Sequence, residues 1–417
     1  MTSSHQAPLR VILLTQWFDP EPQIKGLLFA HRLAELGFEI EVVTGFPNYP
    51  GGKIYPGYRV RGLQREQIEK VSVTRVPLYP SHDRNRLRRA VNYISFMLSA
   101  WIYLTFLAKR ADVIYVYHPP ITVGLAAVLS RFIRRMPIVI DIQDMWPDTL
   151  RATGMVTNER LIRLIGKVCD FVYRRCDIIV AQSKGFRRLL IGRGIPADRI
   201  HVVYNWADEN AIGSPSHTQP VEYSDSDRFR VLFAGNMGTA QALDSVLDAA
   251  CILQKRDASV EVCLLGDGVE TARLKQRALV EQIDNVRFLP RVSMEAVGSY
   301  LSAADCLLVH LRADPLFSIT VPSKTQAYMA AGRPLVIAVD GEAADLVRES
   351  GGGLAIPPEN PEALAEALLQ MANLPPAQRK AMGRSAAAYY SDKLSLAHGA
   401  FVFADLFRSL ASNRISR

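Results

Sequence analysis

Cysteine is scarce in this chain, at five in 417 residues. The five (Cys169, Cys176, Cys251, Cys263 and Cys306) are odd in number and form no C-x-x-C pair. That excludes a disulfide scaffold, argues against a zinc site, and fits unpaired thiols in a reducing compartment. The first ten residues, MTSSHQAPLR, lack the apolar core of a signal peptide, so a cytoplasmic chain is expected. Low-complexity tracts and short-period repeats are missing, which sets aside disordered and collagen-like classes. Neither half has a G-x-G-x-x-G after its first strand, so a nicotinamide dehydrogenase is disfavoured. No aromatic RNA-binding motif, zinc finger or heptad-plus-basic region is present, which makes nucleic acid a weak partner choice.

What is present is an ordinary globular composition, 49% apolar and 22% charged, on a chain long enough for two domains. The net charge of +8 is uneven. Residues 1–207 hold 29 Lys and Arg against 16 Asp and Glu, and the remainder is net acidic. A basic half fits an anionic surface, with the inner leaflet of a membrane favoured over nucleic acid.

Short apolar runs alternate with longer helical patterns, which predicts parallel sheets covered by helices, an α/β class. In the first half the runs are Val11–Leu14, Ile40–Thr44, Val71–Val76, Val113–Val116, Ile138–Ile140, Ile178–Ala181 and His201–Val203. In the second they are Arg230–Ala234, Val260–Leu265, Val286–Leu289, Cys306–Val309, Leu335–Ala338 and Leu354–Ile356. The polar stretch after Asn205 reads as a linker and an exposed lead-in. Two doubly wound, Rossmann-like domains follow, with ligands expected at the C-terminal strand ends and in a cleft between the domains.

Ala90–Ala108 stands apart as 19 uncharged residues with Arg84, Arg86, Arg88 and Arg89 before it and Lys109 and Arg110 after. Its length is enough to cross a bilayer. Its polar stripe (Asn92, Ser95, Ser99, Thr105) and basic residues at both ends leave a buried helix and an interfacial helix open as alternatives.

Several strand ends carry candidate chemistry. Gly235-Asn236-Met237-Gly238 leads from a strand into a helix and can face a phosphate, or simply make a tight turn. Val321-Pro322-Ser323-Lys324 opens another helix, where a lysine opposes the positive helix end unless an anion binds there too. His118 ends a strand, near-neutral in its ordinary proton affinity. Asp141, Asp144 and Asp148 surround Trp146 after the next strand, a polar-and-stacking arrangement that suits a sugar; helix capping is the alternative for Asp144 and Asp148. The turn Ile24-Lys25-Gly26 can present N–H groups or serve as punctuation.

Taken in order, TGFPNYPGGKIYPGYR, VIDIQDMWPDTL, VVYNWAD, FAGNMGTAQALDSVLDAA, LLGDGVE, VRFLPRVSMEAV, VPSKTQAYMAAGRPLV, DGEAADLV and SGGGLAIPPENPEALAEA make the chain resemble the WbuB-like subgroup of glycosyltransferase family 4. These are retaining enzymes of the GT-B fold. The resemblance implies an acceptor- and membrane-facing domain at 1–207, a nucleotide-sugar domain at 208–390, and a C-terminal helix at 391–417 that returns to the first domain. It implies transfer of a sugar, with an N-acetylated amino or deoxyamino sugar among the candidates, from a nucleotide diphosphate donor, UDP favoured. The acceptor it implies is a lipid-linked (polyprenyl diphosphate) saccharide in surface polysaccharide synthesis, on the cytoplasmic face of the membrane. No metal or other cofactor is expected, and no D-x-D motif stands near the strand-end segments.

By matching positions, Ser323, Lys324, Gly235, Asn236, Met237 and Gly238 meet the donor diphosphate. Gly266, Asp267, Gly268, Pro290 and Arg291 lie near the base, and Arg312 is a helper for diphosphate charge. His118 faces the donor sugar; Asp144 joins His118 and Lys324 as a candidate catalytic group; Lys25, Gly26 and Trp146 face the acceptor. Two departures stand out. The Glu-x7-Glu motif common in the family has Ile319 and Ala327 at its two positions, with Glu342 as a candidate substitute for the ribose-holding acid. The basic residues common in the first loop of the C-terminal domain are also missing. A GT-B sugar-nucleotide epimerase and a catalytically silent transferase-like partner stay open as alternatives.

Overall fold

The structure, a computed structural model, describes residues 7–81, 85–152, 155–213 and 227–415. Most of the polar stretch after Asn205 lies outside the described residues, as do Arg84 and the Arg86 side chain. The chain divides into two compact units, Met1–Tyr204 with Gly399–Arg417, and Asn205–His398.

The first unit is built on eight strands: β1 (Arg10–Leu14), β2 (Glu39–Gly45), β3 (Gln64–Ile68), β4 (Val71–Val76), β5 (Val113–His118), β6 (Ile138–Ile142), β7 (Ile178–Ala181) and β8 (Ile200–Val202). Their order is β3-β4-β2-β1-β5-β6-β7-β8, and every pairing is parallel except β3 with β4. Runs such as Val-Ile-Leu-Leu in β1 and Ile-Val-Ile in β6 are fully buried, as a parallel sheet covered on both faces requires. β3 (QREQI) escapes any apolar-run reading because it is an edge strand, alternating between half-buried and exposed. The helices are α1 (Leu27–Glu35), α2 (Arg86–Ile102), α3 (Ile121–Arg134), α4 (Asp148–Ala152), α5 (Glu159–Arg175) and α6 (Lys184–Gly192). The uncharged stretch is helical to Leu107: α2 runs to Ile102 and continues directly into a π-helical turn, Tyr103–Leu107.

The second unit opens with α7 (Glu209–Gly213) and continues through β9 (Phe229–Ala234), α8 (Asp244–Lys255), β10 (Val260–Leu265), α9 (Thr271–Val280), β11 (Val286–Leu289), α10 (Met294–Ala303), β12 (Cys306–His310), α11 (Pro315–Ser318), α12 (Ser323–Ala330), β13 (Leu335–Ala338), α13 (Glu342–Ser350), β14 (Gly353–Ile356), α14 (Pro361–Asn373) and α15 (Pro376–Lys393). Its sheet is all-parallel in the order β11-β10-β9-β12-β13-β14. The strand order reverses at β1/β5 in one sheet and at β9/β12 in the other, and crevices at such points hold ligands. The last helix, α16 (Leu396–Ile415), belongs from Gly399 onward to the first unit, within which Phe403 and Phe407 pack on Phe29, Tyr115 and Phe38.

Candidate functional sites at the two strand-end crevices

In the first unit, β5 and β6 end side by side and deliver the candidate groups. His118, the last residue of β5, is fully buried, and among the described residues neither ring nitrogen has a hydrogen-bond partner. Trp146 and Tyr173 stand edge-on to it, at ring-centroid distances of 5.8 and 6.3 Å. Burial pushes its pKa down to about 3, so the imidazole is neutral near pH 7. A buried polar ring without partners is costly unless something polar reaches it.

The structure sorts the three carboxylates around Trp146. Asp141 is buried within β6 and holds a network: it pairs with Lys25 Nζ, accepts from Tyr115 Oη at 2.6 Å, and accepts from Gln143 Nε2 at 2.6 Å. Asp148 opens α4 and pairs with Arg193, which also donates to the Trp146 carbonyl at 3.0 Å. Asp144 alone is left: among the described residues no donor reaches its carboxylate, and burial pushes its pKa above the usual carboxylate range. Two residues on, the partly buried Trp146 is the ring that stands edge-on to the neutral His118 imidazole.

Lys25, expected to face the acceptor, lies inside the first unit. Its side chain is buried on Asp141, with Nζ 5.1 Å from the Phe403 ring centroid of α16. A lysine in the core survives because Asp141 offsets part of its lost hydration; burial still pushes its pKa down. Gly26, the residue before α1, lies against the Asp19 carboxylate, which accepts from Leu27 N at 2.7 Å. Both residues of that turn serve the fold from inside it.

In the second unit, the loops after β9 and β10 interlock. Met237 N donates to the Asp267 carbonyl at 2.9 Å, and Gly235 N to the Leu265 carbonyl at 2.8 Å. A Cβ at Gly266, where φ is +135°, would strike the Gly235 carbonyl, and one at Gly268 would strike Met237. Gly238 N is taken by Gln241 Oε1 at 2.9 Å, and Met237 is buried. So three of the four N–H groups in Gly235–Gly238 are committed within the protein, and the loop's glycine pattern answers first to backbone packing. Asn236, at the exposed crest, makes only a long contact to Gln241, 3.5 Å. Asp267 is exposed, and the Gly268 N–H beside its carboxyl draws its pKa below the usual range.

The start of α12 is different. Lys324 Nζ is buried with no hydrogen-bond acceptor among the described residues, 3.4 Å from the Phe233 ring centroid and beside Gly235. Burial pushes its pKa down to about 7. Tyr328, one turn on, bonds the Ala234 backbone at 2.8 Å and so ties α12 to the end of β9. Ser323 is exposed at the helix start, where the first-turn N–H groups favour an anion. Of the further cations, Arg312 is paired with Asp314 at 3.1 Å, whereas Arg291, after Pro290, is exposed and makes no ion pair among the described residues. Ile319 and Ala327 place no acid here; Gly341 packs on the Ser318 backbone, and the buried Glu342 follows it at the head of α13. No cluster of side chains suited to a metal occurs among the described residues.

Phe233 and Tyr173, which shape the two crevices, carry no sequence signal beyond that of core aromatics. Only their position opposite Lys324 and His118 reveals them.

Comparison with known proteins agrees with this architecture. Residues 27–206 match the glycosyl transferase 4-like domain and residues 228–373 the glycosyl transferases group 1 domain. The chain is 26% identical to the probable glycosyltransferase WbjE of Pseudomonas aeruginosa, over 71% of this chain and 75% of that one. It is likewise 26% identical to the putative colanic acid biosynthesis glycosyl transferase WcaI of Escherichia coli K12, over 82% and 86%. Among solved structures, sucrose-phosphate synthase of Thermosynechococcus elongatus superposes with a TM-score of 0.71 at 16% identity, over 97% of this chain and 100% of that one. HepE of Anabaena in complex with UDP superposes with a TM-score of 0.66 at 17% identity, over 96% and 100%. The chain is a glycosyltransferase of family 4 with the GT-B fold.

Proposed function

We propose that this family 4 glycosyltransferase is a retaining, metal-independent enzyme of the WbuB-like subgroup. In this reading it moves a sugar from a nucleotide diphosphate donor, UDP-linked, to a lipid-linked saccharide in bacterial surface polysaccharide synthesis. The carrying observation is Lys324: its buried Nζ meets no acceptor among the described residues and stands in the first turn of α12, a setting that suits a diphosphate. The UDP donor is supported by the complexes of HepE with UDP and with UDP-glucose. The surface-polysaccharide setting is supported by the colanic acid role in the name of WcaI, and the membrane setting by the basic balance of residues 1–207.

Retention requires the new bond to form on the face from which the nucleotide departs. The C1–O bond to the diphosphate stretches toward an oxocarbenium-like state, and the acceptor oxygen approaches from the same side. Its proton passes to the departing phosphate oxygen. Lys324 and the first-turn N–H groups of α12 stabilise the charge growing on that leaving group. His118, held neutral by burial, donates or accepts a hydrogen bond at a sugar hydroxyl without adding charge. Asp144 accepts from a sugar or acceptor hydroxyl, and Trp146 supplies an apolar ring face. Glu342 takes the role of the ribose-holding acid that Ala327 cannot fill.

The missing glutamates at Ile319 and Ala327 favour one second reading, a silent partner that binds no nucleotide. A nucleotide sugar epimerase would bind nucleotide but need no lipid acceptor. Thermal melting with UDP, GDP, ADP and dTDP, with and without EDTA, separates the first: a shift with one diphosphate that EDTA leaves intact supports the transferase, and no shift with any supports the silent partner. Sugar transfer to a polyprenyl diphosphate saccharide then separates the second.

A further inference from the structure

α2 is amphipathic in an unusual sense, because both of its long faces are apolar. The inner face is committed to the first unit. Phe96, Ala100, Tyr103 and Leu104 are buried, Asn92 accepts from Gln16 Nε2 at 2.6 Å and donates to the Tyr79 carbonyl at 2.7 Å, and Tyr103 Oη donates to Glu41. The outer face carries Leu87, Val91, Ile94, Leu98 and Ile102, spaced three or four residues apart and between 45% and 78% exposed. Such spacing lays them in one stripe. Phe106 and Leu107 extend it through the π-helical turn, and both are at least half exposed. Phe132 and Ile133, in the last turn of α3, are exposed as well. Arg134 Nη2 bonds the Ala108 carbonyl at 2.8 Å, which joins that turn to the end of the stripe.

The charges beside this stripe have one sign. Residues 85–111 and 119–136 contain no Asp or Glu, while Arg88, Lys109, Arg110 and Arg135 are exposed among them. An apolar stripe of this size on a soluble surface marks a binding face. A second copy of the chain would set like charges against one another, which disfavours self-pairing. An anionic lipid surface answers both features, with the apolar stripe in the acyl boundary and the basic residues among the headgroups.

We propose that the outer face of α2, continued by Phe106, Leu107, Phe132 and Ile133, is a docking surface for an anionic bilayer, on which the helix lies without crossing. Although Leu87–Leu107 is long and apolar enough to span, spanning would strip Asn92 and Tyr103 of their partners in the first unit. The surface goes beyond the transferase reading and does not rest on it, since its test needs neither donor nor acceptor sugar.

The experiment is sedimentation of the full chain with vesicles of phosphatidylcholine alone and with about a third phosphatidylglycerol, at low and high salt. Binding should require the anionic lipid and fall with salt. It should be lost in Ile94→Glu/Leu98→Glu, whose substitutions sit on the exposed face and leave the melting temperature near that of the parent. Lys109→Gln/Arg110→Gln should weaken the partition by about fivefold per charge removed. No binding of the parent chain to anionic vesicles overturns the proposal, as does undiminished binding of Ile94→Glu/Leu98→Glu. Resistance to alkaline carbonate extraction from cell membranes overturns it in favour of a span. A dimer that Ile94→Glu/Leu98→Glu dissolves, without vesicle binding by the parent, overturns it in favour of self-association.

Discussion

Lys324 Nζ rests 3.4 Å from the centroid of the Phe233 ring and has no hydrogen-bond acceptor among the described residues. The ring face holds a cation by its quadrupole, but supplies far less than the water the ammonium has given up. An anion at the first turn of α12 would supply the missing partner. Lys324→Ala should cost on the order of 100-fold or more in kcat/KM, with the fold intact by circular dichroism. Turnover within a few-fold of the parent would remove Lys324 from the leaving-group role.

The same residue predicts a proton linkage. Burial pushes the Lys324 pKa down to about 7, so in the free protein the ammonium is lost as pH rises through that value. A diphosphate binds the protonated form and restores the pKa. UDP affinity should then fall with increasing pH between about 7 and 9, by up to about tenfold per unit. Calorimetry at pH 8 in buffers of different ionisation enthalpy should show proton uptake on binding. An affinity independent of pH over that range would contradict the linkage.

For Asp144, burial without a donor raises the carboxyl's pKa, and protonation would remove the acceptor proposed for a substrate hydroxyl. Activity should decline as pH falls toward that raised value, and Asp144→Asn should flatten this acid limb while lowering kcat. His118, with a pKa near 3, adds no limb of its own between pH 5 and 8. A kcat profile whose acid limb survives Asp144→Asn would exclude this assignment.

Lys25 and Asp141 test the interior of the first unit. Lys25→Met leaves the Asp141 charge buried with only Tyr115 and Gln143 as partners. Removing one partner of a buried pair costs about 3–5 kcal/mol, read as a lowered urea midpoint. Lys25→Met/Asp141→Asn should recover much of that loss, because the uncompensated charge is gone.

Gly268→Ala puts a methyl into the Met237 backbone, whereas nothing lies within 4 Å of a methyl at Gly51. Gly268→Ala should lose about 1–3 kcal/mol and weaken nucleotide binding with it. Gly51→Ala should fall within about 0.5 kcal/mol of the parent. Equal melting temperatures for the two variants would mean the interlocked loops yield freely.

Local pattern alone determined a good deal. Apolar runs between polar, glycine-rich breaks located thirteen of the fourteen strands among the described residues, because a strand buried on both faces must be apolar throughout. The ordered motif series pointed to family 4 and the GT-B fold, and with them to the strand ends where His118, Asp144 and Lys324 lie. β3 was not legible, since an edge strand need bury only part of one face and QREQI does so with polar stems.

Tertiary structure alone decided which of these polar groups are spoken for. Asp141, Asp144 and Asp148 are alike in sequence, yet one meets Lys25 from 116 positions away, one meets Arg193, and one meets no donor. The glycine loop that reads as a phosphate cradle spends most of its N–H groups on its neighbour, and the uncharged stretch that reads as a possible span is a helix with one face anchored and one face bare. Residue type sets what a group can do, but desolvation and pairing set whether it is free to do it, and both arise from chain segments that sequence spacing does not bring together.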